Sequence, residues 1–183
     1  MNYRPIWSSH QITRRRKCQV YEDSVKSLYM FGMELLALPI IAQRNFDTWQ
    51  IHNLRSISRI PAAHISHISN ETIRKLTQVI PLSNKFRQRR LRWYGHIARR
   101  ELRDPVHWVT FESSQVPRRR WPGKRRANAG RPRTNWSEQV HNEAVELAAT
   151  SGYSLSELMQ NTANSRRLWR REVQALRTPA LDG

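Results

Sequence analysis

Proline placement constrains this chain more than any other feature. Prolines stand at 39, 61 and 81, and an interior proline removes a helix donor and crowds the preceding turn. Any helices in the first hundred residues must therefore fit between these points. Between them the apolar residues recur at three- and four-residue intervals, the helical period. Over residues 13–38 the stripe is Val20, Tyr21, Val25, Leu28, Tyr29 and Leu35, which predicts one helix ending at Pro39. Residues 42–59 predict a second, with Phe46, Trp49 or Gln50, Asn53 or Leu54, and Ile57 inside. Residues 62–69 form a connector, and Ser69 opens a short helix through Ile73 and Leu76. A longer helix follows over 83–100. Its inner stripe is Phe86, Arg90, Trp93 or Tyr94, and Ile97; its other face carries Lys85, Arg87, Arg89, Arg92, Arg99 and Arg100.

The character changes at residue 102. Prolines at 105, 117, 122 and 132 and glycines at 123 and 130 accompany eight basic residues and no acid between Pro117 and Arg133. Such a stretch buries too little apolar surface to offset its ordering entropy, which predicts an irregular basic linker over 102–134. Helical pattern returns at Asn135, which with Glu138 fits a capping box and starts a helix to about Thr150. Gly152 breaks it, Ser154 with Glu157 is a second capping box, and a last helix covers about 164–176. The expected class is all-α: a small helical bundle and a C-terminal helical segment joined by the linker. The expected divisions are a flexible N-terminus 1–12, a helical domain 13–101, the linker, a C-terminal segment 135–177 and a tail 178–183.

Charge sets the function class. Lysine and arginine number 32 against 14 aspartates and glutamates, a net charge of +18. Solubility needs only about 2–8 charges on a small domain, and a field this strong attracts polyanions. The single cysteine, Cys18, excludes an intramolecular disulfide and any cysteine-based zinc knuckle. His64 and His67 stand three apart in a connector without a third ligand nearby, so no metal or other cofactor is expected. No apolar run reaches the roughly 20 residues of a membrane helix, and the start of the chain lacks a signal-peptide pattern.

The segment Arg89-Arg-Leu-Arg-Trp-Tyr-Gly-His-Ile-Ala-Arg99 resembles one found late in reverse transcriptases of non-LTR (LINE-type) retrotransposons. Four further stretches resemble family segments in the same order: Tyr21–Leu38 with Ser27–Glu34 inside it, Asn53–Ile60, Gly130–Trp136 and Arg166–Arg171. So does Asn70–Leu76 before the Gly-His segment. The resemblance covers about residues 14–175. It implies a thumb-like bundle over 13–101 and a C-terminal nucleic-acid-binding part, which in such enzymes hold template and primer. It does not imply polymerase activity, because the family's metal-binding aspartate pair lies N-terminal to every matching segment. The adjacent acids Glu22-Asp23 sit on a predicted helix, outside a strand–turn context.

The expected function is nucleic-acid binding without sequence preference and without catalysis, on duplex DNA or RNA–DNA hybrid. Its candidate contacts are Lys85, Arg87, Arg89, Arg92 and His96 on the 83–100 helix, and Arg118, Arg119, Arg120, Lys124, Arg125, Arg126, Arg131 and Arg133 in the linker. The linker run also reads as a nuclear address. Two other readings stay open: a retroelement remnant without a selected function, and a small basic module docking acidic proteins. Exposed apolar surface around Leu28, Phe31 and Leu35 would favour the remnant, since those residues would face the missing palm.

Overall fold

A computed structural model describes residues 3–112, 116–118 and 135–176. The chain is all-α. Among the described residues there is no sheet, only an isolated antiparallel bridge between Phe111 and Pro117. In chain order the helices are α1 (Arg4–Ser8), α2 (Arg14–Val20), α3 (Lys26–Tyr29), α4 (Ile40–Ser58), α5 (Ala63–Ser66), α6 (Asn70–Thr77), α7 (Leu82–Ala98), α8 (Pro105–Thr110), α9 (Trp136–Thr150), α10 (Leu155–Met159) and α11 (Ala163–Ala175). A π-helical turn, Tyr21–Val25, joins α2 to α3, and a 3-10 turn spans Met33–Leu35.

Two compact units result. The first comprises Met1–Met33 and Ile40–Phe86; the second comprises Glu34–Pro39 and Arg87–Gly183. The continuous helix α7 contributes to both.

In the first unit the core is Cys18, Tyr21, Ile51, Leu54, Ile57, Ile73 and Val79. Polar side chains inside it hold the turns. Gln50 is fully buried; its amide donates to the Ile80 carbonyl at 2.8 Å and accepts from the Leu82 amide at 3.1 Å. Asp47 accepts from the Ser83 amide at 3.1 Å and its hydroxyl at 2.7 Å, satisfying donors exposed at the start of α7. Arg55 donates to the carbonyls of Pro61 at 2.8 Å and Ile68 at 2.6 Å, which fastens the connector between α4 and α6.

The second unit has the larger core. Leu91, Tyr94, Ile97 and Ala98 of α7 pack with Phe111, Val140, Ala144, Leu147, Ala148, Leu158, Met159, Trp169 and Val173. Full burial of each large apolar side chain stabilises the fold by roughly 1.5–3 kcal/mol. Arg90 lies inside with no exposed surface, donating to Glu143 Oε1 at 3.0 Å and Gln139 Oε1 at 3.2 Å. Burial pushes the Arg90 guanidinium below its ordinary pKa and the Glu143 carboxyl above its own.

Several sequence expectations change. The predicted helix over 13–38 is interrupted: α3 ends at Tyr29 and Gly32 reverses the chain at φ +69°, a conformation that costs an L side chain energy. Residues 4–8, expected to be flexible, are helical, and Trp7 packs on the first core. The expected boundary at 101/102 falls instead at Phe86/Arg87, because the second half of α7 faces α9 and α11. The expected linker contains α8, started by Asp104, whose side chain accepts from the amides of Val106 and His107, with Pro105 in the first turn. The Asn135–Glu138 capping box is not formed: Asn135 caps α9 by accepting from the Ser137 amide at 3.2 Å. The Ser154–Glu157 box forms in full.

The ends of the basic run are fixed. Arg118 donates through its backbone to Thr110, and its side chain donates to the carbonyls of Trp108 at 2.9 Å and Phe111 at 3.3 Å. The Asn135 side chain then donates to the Arg118 carbonyl at 3.1 Å. Residues 119–134, the remainder of the expected linker, lie outside the described residues.

Candidate nucleic-acid interface

In the second unit, α7 and α11 border a groove of about 830 Å³. Along α7, Arg92, Gly95 and His96 line it, joined by Arg99 and Arg100 just past the end of the helix; along α11, Arg166, Trp169, Arg170, Arg171 and Gln174 line it at three- and four-residue intervals. Side chains at such intervals share one face of a helix. The lining holds six arginines and a histidine, and no carboxylate.

Gly95 makes the approach of the two helices possible. A Cβ there would lie 2.2 Å from Trp169 Nε1 and 2.7 Å from Trp169 Cδ1. The indole is 2% exposed, and its Nε1–H donates to the Leu91 carbonyl at 3.2 Å. Trp169 is thus a structural floor that brings the arginines of α11 alongside those of α7.

The arginines differ in how they are held. Arg99 reaches inward and donates to the carbonyls of Gly95 at 2.6 Å and Leu158 at 2.8 Å. Its pKa is lowered, first by burial and then by the neighbouring charges of Arg166 and Arg170. Arg92 donates to Gln174 Oε1 at 2.7 Å across the groove, and Arg166 donates to Asn161. Arg100 donates to Asp104 Oδ2 at 2.7 Å and to His96 Nε2. Arg171 donates to Glu172 Oε1 and to the Tyr153 hydroxyl. Two of these guanidiniums are ion-paired, Arg100 with Asp104 and Arg171 with Glu172, and the lining as a whole presents forked donors matched to phosphate oxygens. A guanidinium stays protonated, so the arginines of the groove suit anion binding.

Of the candidate residues predicted from sequence, Arg92 and His96 are in this groove, both exposed. Arg87 and Arg89 are not; they are half-buried and paired with Glu146 at 2.6 Å and Glu34 at 3.0 Å. Lys85 is half-buried in the first unit. Arg118 is committed to the carbonyls described above, its guanidinium 4.7 Å from the Trp108 ring centroid. Arg119, Arg120, Lys124, Arg125, Arg126, Arg131 and Arg133 lie outside the described residues.

Tyr94 is a core residue with no exposed surface, while Trp93 is half-buried. The contributions missing from the candidate list were Arg99 and Arg100 beside Arg92, and Arg166, Arg170 and Arg171 opposite them. A signal for the pairing did exist: a glycine in mid-helix calls for a close neighbour, and the Arg-Arg-Leu-Trp-Arg-Arg motif supplies an indole among cations.

Among the described residues, no three His, Cys, Asp or Glu side chains cluster as a metal site requires. No helix there is long and apolar enough to cross a membrane. In comparisons with protein-family models, curated proteins and solved structures, nothing matches the chain.

Proposed function

We propose that this chain binds nucleic acid through the phosphodiester backbone, without sequence preference and without catalysis, and that the α7–α11 groove is its principal contact. Six arginines and a histidine lining one groove without a carboxylate carry this reading. Phosphate contacts of this kind position a strand and read no bases. Duplex DNA and RNA–DNA hybrid are the proposed partners, in keeping with a thumb-like part of a reverse transcriptase. The cations of 119–133 add attraction and supply a nuclear address.

The test is binding affinity across a salt series. If about six phosphates are neutralised, log K falls against log salt with a slope of about −5. Arg166→Ser with Arg170→Ser should reduce that slope by about two units, since each removes one phosphate contact. Serine at Arg119, Arg120, Lys124, Arg125 and Arg126 should weaken every sequence alike. Salt-independent affinity, or a loss confined to one sequence, would refute the mechanism.

One observation favours a second reading, the retroelement remnant. Phe31 is 84% exposed and Leu28 70% in the first unit, and Leu35 is 56% exposed in the second. Side chains of this size left in water suit a chain missing a packing partner.

A further inference from the structure

Beside the arginines, the groove holds one aromatic ring with unusual support. His96 is exposed and lines the groove. Its ring stacks on Trp93 with centroids 5.6 Å apart and planes 27° apart. Its Nε2 accepts from Arg100, at 3.3 Å from Nε and 3.0 Å from Nη2. Trp93 is half-buried and packs against the second core, so the ring behind His96 is itself fixed. The imidazole is thereby held from one face and one edge, while guanidiniums occupy the groove around it. A fixed aromatic among cations is the combination that seats unpaired nucleotides: phosphates meet the charges, and a base stacks on the ring.

The size agrees. A volume of about 830 Å³ lies within the ~300–1,000 Å³ that encloses a drug-sized ligand. Such a space admits a nucleotide or two with their bases. A duplex keeps its bases stacked inside and can offer the groove only its phosphates.

We infer that the α7–α11 groove favours a single-stranded nucleic acid, with a base stacked on His96 and the flanking phosphates on the arginines. The inference rests on the nucleic-acid reading above and gives this groove a preference for the unpaired strand over the duplex. Phosphate attraction acts on single strand and duplex alike; the base contact adds affinity for the unpaired strand alone.

The experiment measures fluorescence anisotropy at fixed salt with a short oligothymidylate, an abasic strand of equal length and charge, and the matching duplex. The intact strand should bind more tightly than the abasic strand by roughly five- to a hundredfold, the range of one base–aromatic stack. His96→Ala should weaken the intact strand more than the abasic one and so close the gap between them. His96→Phe, which keeps a ring, should preserve the gap. Because His96 is exposed, both variants should retain the wild-type circular dichroism. Equal affinity for intact and abasic strands, or an equal loss of both in His96→Ala, would overturn the inference while leaving the phosphate reading in place. Failure of all three nucleic acids to bind with salt dependence would overturn both.

Discussion

Replacing Gly95 by alanine tests the packing that creates the groove. In an ordinary helix interior, alanine for glycine stabilises by roughly 0.8–1 kcal/mol. Here the new methyl would sit 2.2 Å from Trp169 Nε1, 2.7 Å from its Cδ1 and 3.0 Å from Arg99 Nη1. Carbon atoms in good contact stand about 3.5–4.0 Å apart, so the indole must withdraw by more than an ångström. That movement strains the core, at about 1–3 kcal/mol for overpacking. It also breaks the Trp169–Leu91 hydrogen bond of 3.2 Å, a further ~0.5–1.5 kcal/mol. Set against the propensity gain, the net loss is about 1–3 kcal/mol. In a chain of this size a loss of 2 kcal/mol lowers Tm by about 4–8 °C. Urea and thermal unfolding would read the loss. Trp169→Leu added to Gly95→Ala should show strong non-additivity, because removing the indole relieves the clash that the new methyl creates. A Gly95→Ala protein with raised Tm and unchanged nucleic-acid affinity would show that Trp169 does not rest on α7.

Two further outcomes follow from other sites. The Tyr94 hydroxyl lies 2.8 Å from His141 Nδ1, and burial holds the His141 pKa below its ordinary value; a lowered folded pKa means that the unfolded chain takes up the proton first, so this contribution to stability is full above about pH 6.5 and is lost as pH falls from there through the folded pKa. Denaturant melts between pH 8 and 5 should show the decline, and His141→Gln should flatten it; an unaltered profile in that variant would refute the assignment. Serine at both Leu28 and Phe31 should change stability by no more than about 0.5 kcal/mol, while lowering dye binding to apolar surface and concentration-dependent association; wild-type protein that shows neither behaviour would remove the support for the remnant reading.

How far the sequence could be read depended on how local each cause was. Helix starts at Ser69, Ser154 and close to Asn135 were legible because a cap acts within three residues. The period of α4 and α7 was legible because each helix buries one face. The division into units was not, since nothing local shows that Leu91 and Tyr94 join a core completed by Val140 and Trp169. Arg90 could be placed on the inner stripe, but not its partners Glu143 and Gln139. The same holds for Arg87 and Arg89: on the sequence they look like free cations, and only tertiary folding supplies Glu146 and Glu34. The groove combines both cases. Each arginine row was visible as a motif, while their juxtaposition depends on an indole entering the gap left by Gly95.

The bond from Asn135 to the Arg118 carbonyl has a consequence for local opening. The same Asn135 side chain accepts from the Ser137 amide at the start of α9, and Arg118 donates to the carbonyls of Trp108 and Phe111 at the end of α8. One amide side chain therefore joins the start of α9 to the residues that follow α8, so that loss of the cap and release of Arg118 become one event. Loss of an N-cap costs about 0.5–2 kcal/mol. Replacing Asn135 with alanine would remove both contacts together, and its signature would be faster hydrogen exchange at the amides of Arg118 and Ser137 alike.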